Sequence, residues 1–345
     1  MKQPITIAVE IHSSQFPERV RRDLIESLRT GRINHKFHYD SIKQAQKWLA
    51  LHEAFSPARN DSDCRKIYAN SFHAAAKIIA ARTRNIFAPL REKVVGPIHV
   101  IGLGCGGGQK DVEILKILRR HQLEVHYTPC DVSVPLTLTA SRAAARRISA
   151  AHIHPVVCDL ATATDLPQVF QTHAPAGSSR LLTFFGMIPN FVPNQILPRL
   201  RSLIRRDDLL LLSANLAPGP DYAAGMIKIF PQYKNRLTSD WLLTFLQDLG
   251  IECDDGAIRF VIENGGQGLK RVGAHFKLSK KCVLKIGGET LTFQRGRELR
   301  LFFSYRYTPD RLRAVLKGFG LEVISRWITR SEEEGVFLCR RRRAP

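Results

Sequence analysis

The sequence predicts an α/β fold built on a doubly wound, mostly parallel sheet. From Pro97 onward, short segments that are apolar throughout alternate with amphipathic segments at helical spacing. The first apolar segment ends in a glycine-rich loop, and an acidic residue follows each of the next two. Strands that are apolar throughout indicate a parallel sheet covered by helices on both faces. In such a sheet, ligands bind at the carboxyl ends of the strands.

Residues 1–93 are predicted to form a helical region that contributes to a substrate domain. Three segments in it carry apolar residues at helical spacing: FPERVRRDLIESLRTG, DSIKQAQKWLALHEAF and CRKIYANSFHAAAKIIAARTRNIF. The first of these segments ends at Gly31, and glycine is a common helix terminator.

Residues 94–250 are predicted to form the core of the sheet. The strand segments, in chain order, are PIHVIGLG, LEVHYTPCD, IHPVVCDL, RLLTFFGMIPN and DLLLLSANL. The helical segments between them are DVEILKILRRH, PLTLTASRAAARRISA and NQILPRLRSLI. This alternation predicts a Rossmann-like core.

The remaining residues are predicted to add a β-rich insert and to complete the core. Residues 251–305 alternate apolar and polar positions around Gly-Gly pairs, which predicts antiparallel hairpins in a second, smaller domain. Residues 306–345 contain a helix with Thr308 as its cap and Pro309 in its first turn, followed by a hairpin of LEVISRWIT and GVFLCRR. A parallel sheet that ends in an antiparallel C-terminal hairpin is the arrangement of class I methyltransferases.

The chain is strongly basic, with 52 Lys and Arg residues, 31 Asp and Glu residues and a formal net charge of +21. A basic surface attracts nucleic acids, acidic lipids and small acidic ligands, although an ordinary solvated surface can have the same composition. A length of 345 residues suits one large α/β domain with an insertion, or two domains.

The cysteines and the apolar segments exclude several classes of protein. The 7 cysteines stand singly, without a CxxC pair, so we expect neither a zinc cluster nor a disulfide scaffold, and no metal site. The first residues lack a signal-peptide pattern, and no apolar run reaches the roughly 18 residues of a membrane span. We therefore expect a cytoplasmic monomer or weak dimer without membrane contact.

The loop GLGCGGGQKD, residues 102–111, is compatible with several ligands. Its glycines fit the GxG start of a dinucleotide site, but they also fit a tight turn that binds nothing. A P-loop is excluded, because Lys110 is followed by Asp111 instead of Ser or Thr.

Two acids narrow this choice to S-adenosylmethionine. Asp131 ends the second strand, where a carboxylate can accept both ribose hydroxyls. Asp159 ends the third strand beside the apolar Leu160, where it can hold the amino group of adenine. Together with Gly104 and Gly106 of the loop, these acids predict a methyl-donor site. S-adenosylmethionine has no pyrophosphate and does not need a helix N-terminus packed against anions.

The chain resembles, over most of its length, the histidine Nα-methyltransferases of ergothioneine biosynthesis and is identified as a divergent member. The segments that carry the resemblance are HKFHYDS (35–41), HEAFSPAR (52–59), GLGCGGGQKD, PCDVS, VCDL, FFGMIPNFVP (184–193) and LFFSYRYTPDRL (301–312). The resemblance adds Lys110 to the cofactor site. Gly102 is a departure, because many of these enzymes have an acidic residue there.

The resemblance also implies a binding site for the head group of a small amino acid or amine. The family's asparagine and tyrosines, which bind the α-amino and α-carboxylate groups, correspond to Asn190, Tyr39 and Tyr233. Their polar contacts would aim the amine for a direct in-line methyl transfer, which needs near-attack geometry more than a strong base. The resemblance identifies no catalytic base.

Other departures from the family indicate that the acceptor is not histidine. The glutamate that recognises the imidazole corresponds to Phe302, although the nearby serine is kept as Ser304; a tyrosine corresponds to Phe55, and a larger pocket residue corresponds to Ala274. A phenyl ring cannot accept a hydrogen bond from an imidazole N–H, and burying that N–H unpaired costs about 1–3 kcal/mol. A pocket of this composition suits an apolar or aromatic side chain.

Two alternatives remain open from the sequence. The net charge of +21 and the Arg-rich segments RRDLIESLRTGR and RLRSLIRR favour an RNA methyltransferase. Against it, the fourth strand ends in GMIPN instead of the Asn-Pro-Pro-aromatic signature of amino-purine and amino-pyrimidine methylases. The second alternative is a non-catalytic protein that binds S-adenosylmethionine or another metabolite, since Gly102, Phe55 and Phe302 all depart from the family.

Overall fold

The computed structural model describes residues 7–55, 61–85 and 96–342. The strands in this part of the chain are β1 (Glu10–Ile11), β2 (Ile98–Leu103), β3 (Val125–Asp131), β4 (Val156–Val157), β5 (Ser179–Phe185), β6 (Leu209–Asn215), β7 (Gly256–Gly266), β8 (Leu269–Leu278), β9 (Cys282–Ile286), β10 (Glu289–Phe293), β11 (Glu298–Arg306), β12 (Leu321–Ile328) and β13 (Glu334–Arg341).

The helices of the same part of the chain surround these strands. They are α1 (Pro17–Thr30), α2 (Ile42–Phe55), α3 (Ser62–Asn85), α4 (Gln109–Arg120), α5 (Val134–Ala145), α6 (Leu166–Thr172), α7 (Pro193–Leu203), α8 (Tyr222–Ile229), α9 (Arg236–Asp248) and α10 (Pro309–Gly318). Across the described residues, no helix combines the length and the apolar character that crossing a membrane requires.

The central sheet has eight strands in the order β1-β4-β3-β2-β5-β6-β13-β12. The first six strands of this order pair in parallel, and β13 runs antiparallel to both β6 and β12. From β2, the chain adds β3 and β4 on one side and later adds β5 and β6 on the other. The strand order therefore reverses at β2, and the crevice beyond its carboxyl end is where a doubly wound sheet binds ligands.

Helices cover both faces of this sheet, which explains why its strands are apolar throughout. All six residues of β2 are buried. Ile98 and Val100 pack in a core with α3 and α4, whereas Ile101 and Leu103 pack on the opposite face with α6, α7 and α10. Alternate residues of a strand point to opposite faces, so a strand buried on both sides needs apolar residues at nearly every position.

A smaller antiparallel sheet and a hairpin form a second body with its own core. The sheet has the order β11-β8-β7, and β9 pairs with β10. Its core combines Leu28 of α1, Trp241 of α9, Phe276 of β8 and Phe302 of β11. The β9–β10 turn is Gly287-Gly288, and both glycines have positive φ, as a two-residue turn of this type requires.

The predicted fold class is confirmed, including the antiparallel C-terminal hairpin and the helical N-terminal region. Helix α1 ends where the sequence predicts, since Gly31 adopts φ 67° and its N–H bonds back to Leu28. The structure differs at the third predicted strand, where only Val156–Val157 pair, and it adds β1, which pairs in parallel with them. The boundary predicted between residues 93 and 94 lies outside the described residues, and the domain limits stay a prediction.

Candidate active site

A cavity of about 320 Å³ lies at the carboxyl edge of the parallel strands, between the central sheet and the N-terminal segments. The sheet contributes the loop after β2, the residues that follow β3, β4 and β5, and the ends of β6 and β13. Residues from 34 to 55 contribute the opposite wall. The cavity therefore lies at the position that the strand reversal at β2 predicts for a ligand.

The glycine loop lines this cavity because its backbone conformation and its close contacts both require glycine. Gly104 and Gly106 have φ values of 63° and 53°, in the left-handed region. A Cβ atom would lie 2.7 Å from Met187 at Gly104 and 2.8 Å from Trp48 at Gly106. The loop can thus bring its backbone close to a ligand where a side chain would collide with the cavity wall.

Asp131, the last residue of β3, presents a fixed carboxylate to the cavity. Its oxygens accept hydrogen bonds from the backbone N–H groups of Gly106 at 2.9 Å and of Ser133 at 3.0 Å. Burial raises its pKa to about 6, although the two amide donors oppose the shift. At neutral pH this side chain is an anchored anion that can accept hydrogen bonds from a diol, as the sequence predicts for the ribose.

Asp159 lines the cavity beyond the end of β4, beside the buried Leu160. One carboxylate oxygen accepts the backbone N–H of Ala161 at 2.9 Å. The other lies 3.3 Å from the ammonium group of Lys36, which also contacts Asp23 at 2.5 Å. Lys36 is only 5% exposed, so a buried cation compensates Asp159. HKFHYDS contains Lys36, but nothing in that segment indicates this ion pair.

Lys110 belongs to a buried network that reaches the last strands of the chain. Its ammonium group donates to the hydroxyl of Tyr68 at 2.8 Å, and that hydroxyl donates to Glu334 at 2.6 Å. Burial lowers the pKa of Lys110 and raises the pKa of Glu334. Lys110 and Glu334 both line the cavity. Glu334 opens β13 opposite Asn215 of β6. The sequence does not reveal Glu334 as a cavity residue, because RSEEE is typical of an exposed turn.

Asp111 is a further cavity-lining carboxylate that sequence analysis used only to exclude a P-loop. Its oxygens accept hydrogen bonds from the hydroxyls of Tyr127 and Thr183, both at 2.7 Å. The side chain lies against the backbone of Gly102, the position where the chain departs from the family. Burial raises the pKa of Asp111 to about 6, and the two hydroxyl donors oppose the shift.

The structure brings three of the predicted substrate residues to the cavity: Tyr39, Phe55 and Asn190. Tyr39 packs edge-on against Trp48, with ring centroids 5.8 Å apart, and burial raises the pKa of its phenol. Asn190 ends the single helical turn that follows β5. Phe55, at the end of α2, is 53% exposed. Residues 56–59 of HEAFSPAR lie outside the described residues.

The other four predicted substrate residues are not among the residues that line the cavity; three of them belong to the core of the second body, and Ser304 lies on its strand β11. Phe302 is buried with its ring 5.0 Å from that of His35, and Ala274 lies opposite it on β8. Tyr233 accepts a hydrogen bond from Arg306 at 2.9 Å, and Ser304 is buried on β11. The cavity therefore does not reach these residues directly, and their roles stay predictions.

His35 lines the cavity in front of Phe302 and was not predicted. Its Nε2 accepts the backbone N–H of Phe303 at 3.3 Å, so in a neutral ring the proton is on Nδ1. Burial, together with nearby Arg300 and Arg271, lowers the pKa of His35 well below its usual value. Nδ1 is buried and has no hydrogen-bond partner among the described residues. The Nδ1–H group of His35 is thus a hydrogen-bond donor without a partner at this wall of the cavity.

Comparisons with known proteins agree on a methyltransferase. A family model described as "Histidine-specific methyltransferase, SAM-dependent" matches residues 71–341. Over 276 residues, the chain is 24% identical to a "Histidine N-alpha-methyltransferase" of Mycobacterium tuberculosis (strain CDC 1551 / Oshkosh), with 77% of this chain and 81% of that protein covered.

Similar solved structures include two methyltransferases. The CcbJ methyltransferase from Streptomyces caelestis is 13% identical, with a TM-score of 0.38 and coverage of 79% of this chain and 90% of that one. The 1,6-didemethyltoxoflavin-N1-methyltransferase of Burkholderia thailandensis is 13% identical, with a TM-score of 0.37 and coverage of 87% and 91%.

The cavity is compatible with S-adenosylmethionine, the methyl donor of this family. At Gly104 and Gly106 the backbone of the loop approaches Met187 and Trp48 so closely that a Cβ atom would collide with them. Asp131 and Asp159 place carboxylates beyond neighbouring strands, with the apolar Leu160 beside them. When bound, the donor supplies an electrophilic methyl group on a sulfonium. The match over residues 71–341 shows that the chain belongs to the family described as histidine-specific, S-adenosylmethionine-dependent methyltransferases, and that it is an S-adenosylmethionine-dependent methyltransferase.

Proposed function

We propose that this enzyme transfers the methyl group to the amine nitrogen of a small amino acid or related amine, and that this acceptor is not histidine. The observation that carries the proposal is the wall formed by His35 with Phe302 behind it. This wall offers a neutral imidazole where the family resemblance implies a carboxylate for histidine. The printed name of the Mycobacterium tuberculosis relative supports methylation of an α-amino nitrogen.

Electrostatics at this wall also disfavour histidine. The pKa of His35 is lowered by burial first and then by His38, Arg300 and Arg271, so the surroundings resist additional positive charge. An acceptor imidazole would meet another neutral imidazole and the ring of Phe302 instead of an anion. Leaving its N–H without a partner would cost about 1–3 kcal/mol, whereas an apolar or aromatic side chain brings no further donor that needs a partner there.

The unsatisfied Nδ1–H of His35 supports an acceptor that carries a carboxylate or carbonyl oxygen. A buried N–H group without a hydrogen-bond partner is costly. A substrate oxygen that accepts this hydrogen bond would recover that free energy. Tyr39 and Asn190 lie on the same cavity and supply the further polar groups that would orient an amine lone pair. With the amine neutral and held in line with the sulfonium, orientation accounts for most of the catalysis.

A methyl-transfer assay against all amino acids and common amines, read by mass spectrometry, tests this proposal. We expect methylated product from an apolar or aromatic amino acid or its amine, with histidine turned over at least about tenfold less efficiently. Histidine as the best acceptor would refute it. The variant Asn190→Ala serves as a matched control, because it should still bind S-adenosylhomocysteine while losing turnover.

The net charge of +21 favours a second candidate, methylation of RNA. An RNA methyltransferase should bind tRNA with an affinity that falls steeply as the salt concentration rises, because each phosphate contact releases counterions. A gel shift with tRNA between about 50 and 200 mM salt tests this candidate. Weak binding at the lower concentration would leave the small-molecule acceptor as the better proposal.

A further inference from the structure

The carboxylate of Asp111 occupies the space that a side chain at residue 102 would need. A Cβ atom built on Gly102 would lie 2.3 Å from Oδ2 of Asp111 and 3.1 Å from the hydroxyl of Tyr127. Gly102 is not among the glycines with positive φ, so its backbone conformation would accept any residue. Glycine at this position is therefore explained by the lack of space beside Asp111.

Three elements hold this carboxylate in one orientation. Asp111 lies in the first turn of α4, Tyr127 donates from β3, and Thr183 donates from β5. The side chain is only 2% exposed, yet it borders the cavity. Hydroxyl donors fix the direction of a carboxylate without neutralising it. Among the described residues, the hydrogen-bond partners of Asp111 include no cation.

A buried carboxylate without an ion pair is costly, unless a ligand supplies the opposite charge. The charge of Lys110 lowers the pKa of Asp111, but the ammonium group itself is hydrogen-bonded to Tyr68. The neighbouring residue, Lys110, places a buried ammonium group on the same cavity. One cation and one anion from consecutive residues match the amino acid end of S-adenosylmethionine, which carries a carboxylate and an ammonium group. Charge-assisted hydrogen bonds of this kind are roughly twice as strong as neutral ones.

We propose that Asp111 receives the α-ammonium group of S-adenosylmethionine, and that it supplies from α4 the carboxylate that a residue at position 102 cannot supply here. The carboxylate at this point of the cavity thus belongs to α4 instead of to β2. This inference rests on the cofactor of the family and is independent of which acceptor the enzyme methylates.

Calorimetry with two ligands separates a binding role of Asp111 from a structural one. S-adenosylhomocysteine carries the amino acid head group, whereas 5′-methylthioadenosine has the same nucleoside without it. We expect Asp111→Asn to bind S-adenosylhomocysteine about tenfold or more weakly than the wild type and 5′-methylthioadenosine within about twofold. The second ligand also reports whether the variant is folded, and neither measurement needs an acceptor.

The stronger test moves the carboxylate from residue 111 to residue 102. Gly102→Asp alone should lose affinity for S-adenosylhomocysteine, because its side chain collides with Asp111 and repels it. Asp111→Ala alone should lose affinity as well. The double variant Gly102→Asp/Asp111→Ala should recover at least about tenfold over Asp111→Ala, since one carboxylate again lies in the shared space.

Three results would overturn the proposal. One is wild-type affinity of Asp111→Asn for S-adenosylhomocysteine. Another is an equal loss for both ligands in that variant, which would assign Asp111 a structural role. The third is a double variant that binds no better than Asp111→Ala. A wild-type protein that binds neither ligand would instead contradict the cofactor itself, so the two failures are distinguishable.

Discussion

The ammonium group of Lys36 lies 3.3 Å from Oδ2 of Asp159 and ties the N-terminal region to the far end of the cavity. The same group contacts Asp23 of α1 at 2.5 Å. Lys36 thus bridges the helical region and the strand end at which the sequence predicts adenine recognition. Because the lysine is almost completely buried, Asp159 depends on it for charge compensation, whereas Asp23 also pairs with Arg19 at 3.5 Å.

We therefore expect Lys36→Met to lower the free energy of unfolding by about 3 kcal/mol, because it leaves the buried carboxylate of Asp159 without the cation that pairs with it. Urea denaturation of the full chain measures this loss. Lys43→Met is the matched control, since Lys43 is 55% exposed and pairs with Asp248 at 3.1 Å. The control should change stability by less than about 1 kcal/mol. Similar losses in both variants would contradict a specific role for Lys36.

Replacing Asp131 should remove the anchor for the nucleoside. We expect Asp131→Ala to weaken the binding of S-adenosylhomocysteine by about 100-fold or more, because two charge-assisted hydrogen bonds are lost. Isothermal titration calorimetry measures the change, and circular dichroism checks that the variant keeps the secondary structure of the wild type. Normal affinity in this variant would disprove the cofactor-site assignment.

The pKa of Asp131, raised by burial to about 6, predicts how nucleoside binding depends on pH. The carboxylate is ionised above this value and accepts hydrogen bonds best there. The affinity for 5′-methylthioadenosine should therefore fall as the pH decreases from 7.5 through about 6. Acid does not unfold the protein through this residue. A pKa raised above its usual 3.8 contributes stability below 3.8 and loses it as the pH rises through about 6. A pH-independent affinity would contradict the assignment.

Asn190 should act on the acceptor and not on the cofactor. It follows β5 on the cavity wall, away from the two acids assigned to the nucleoside. We expect Asn190→Ala to keep its affinity for S-adenosylhomocysteine within about twofold while kcat/KM for the acceptor falls at least about tenfold. Parallel calorimetry and steady-state kinetics make the distinction. An equal loss of both quantities would place Asn190 in the cofactor site.

Sequence order was sufficient to predict the features that lie next to each other along a strand and its following loop. The glycine loop, Asp131 and Asp159 all follow parallel strands, and the carboxyl ends of parallel strands lie on one edge of the sheet. The fold class could also be predicted, because the apolar strands and amphipathic helices alternate over a long stretch of the chain. The glycine loop and both acids line the cavity, and the roles assigned to them stay predictions.

Contacts between distant segments could not be predicted in this way. Tyr68 and Glu334 are separated by 266 positions, and Lys36 and Asp159 by 123. In the sequence, none of these residues differs from an ordinary surface or core residue. Tyr68 meets Glu334 only because α3 packs against the last strands, and Lys36 meets Asp159 only because residue 36 packs against the end of β4. His35 lines the cavity and its ring lies 5.0 Å from that of Phe302, a contact that the sequence does not reveal; the role of Phe302 stays a prediction.

His35 offers the sharpest test of the acceptor itself. The backbone N–H of Phe303 binds Nε2, and the lowered pKa keeps the ring neutral at pH 7, so Nδ1 carries the proton and lacks a partner among the described residues. We expect His35→Phe to raise KM for a carboxylate-bearing acceptor about tenfold, because the lost hydrogen bond to a charged group contributes about 1.5–3 kcal/mol. The decarboxylated amine of the same acceptor should be affected less than about twofold, since it has no oxygen to receive that proton. Steady-state kinetics with both acceptors gives the comparison. Equal effects on the two would mean that His35 only shapes the wall, and that the acceptor head group is bound by Tyr39 and Asn190 alone.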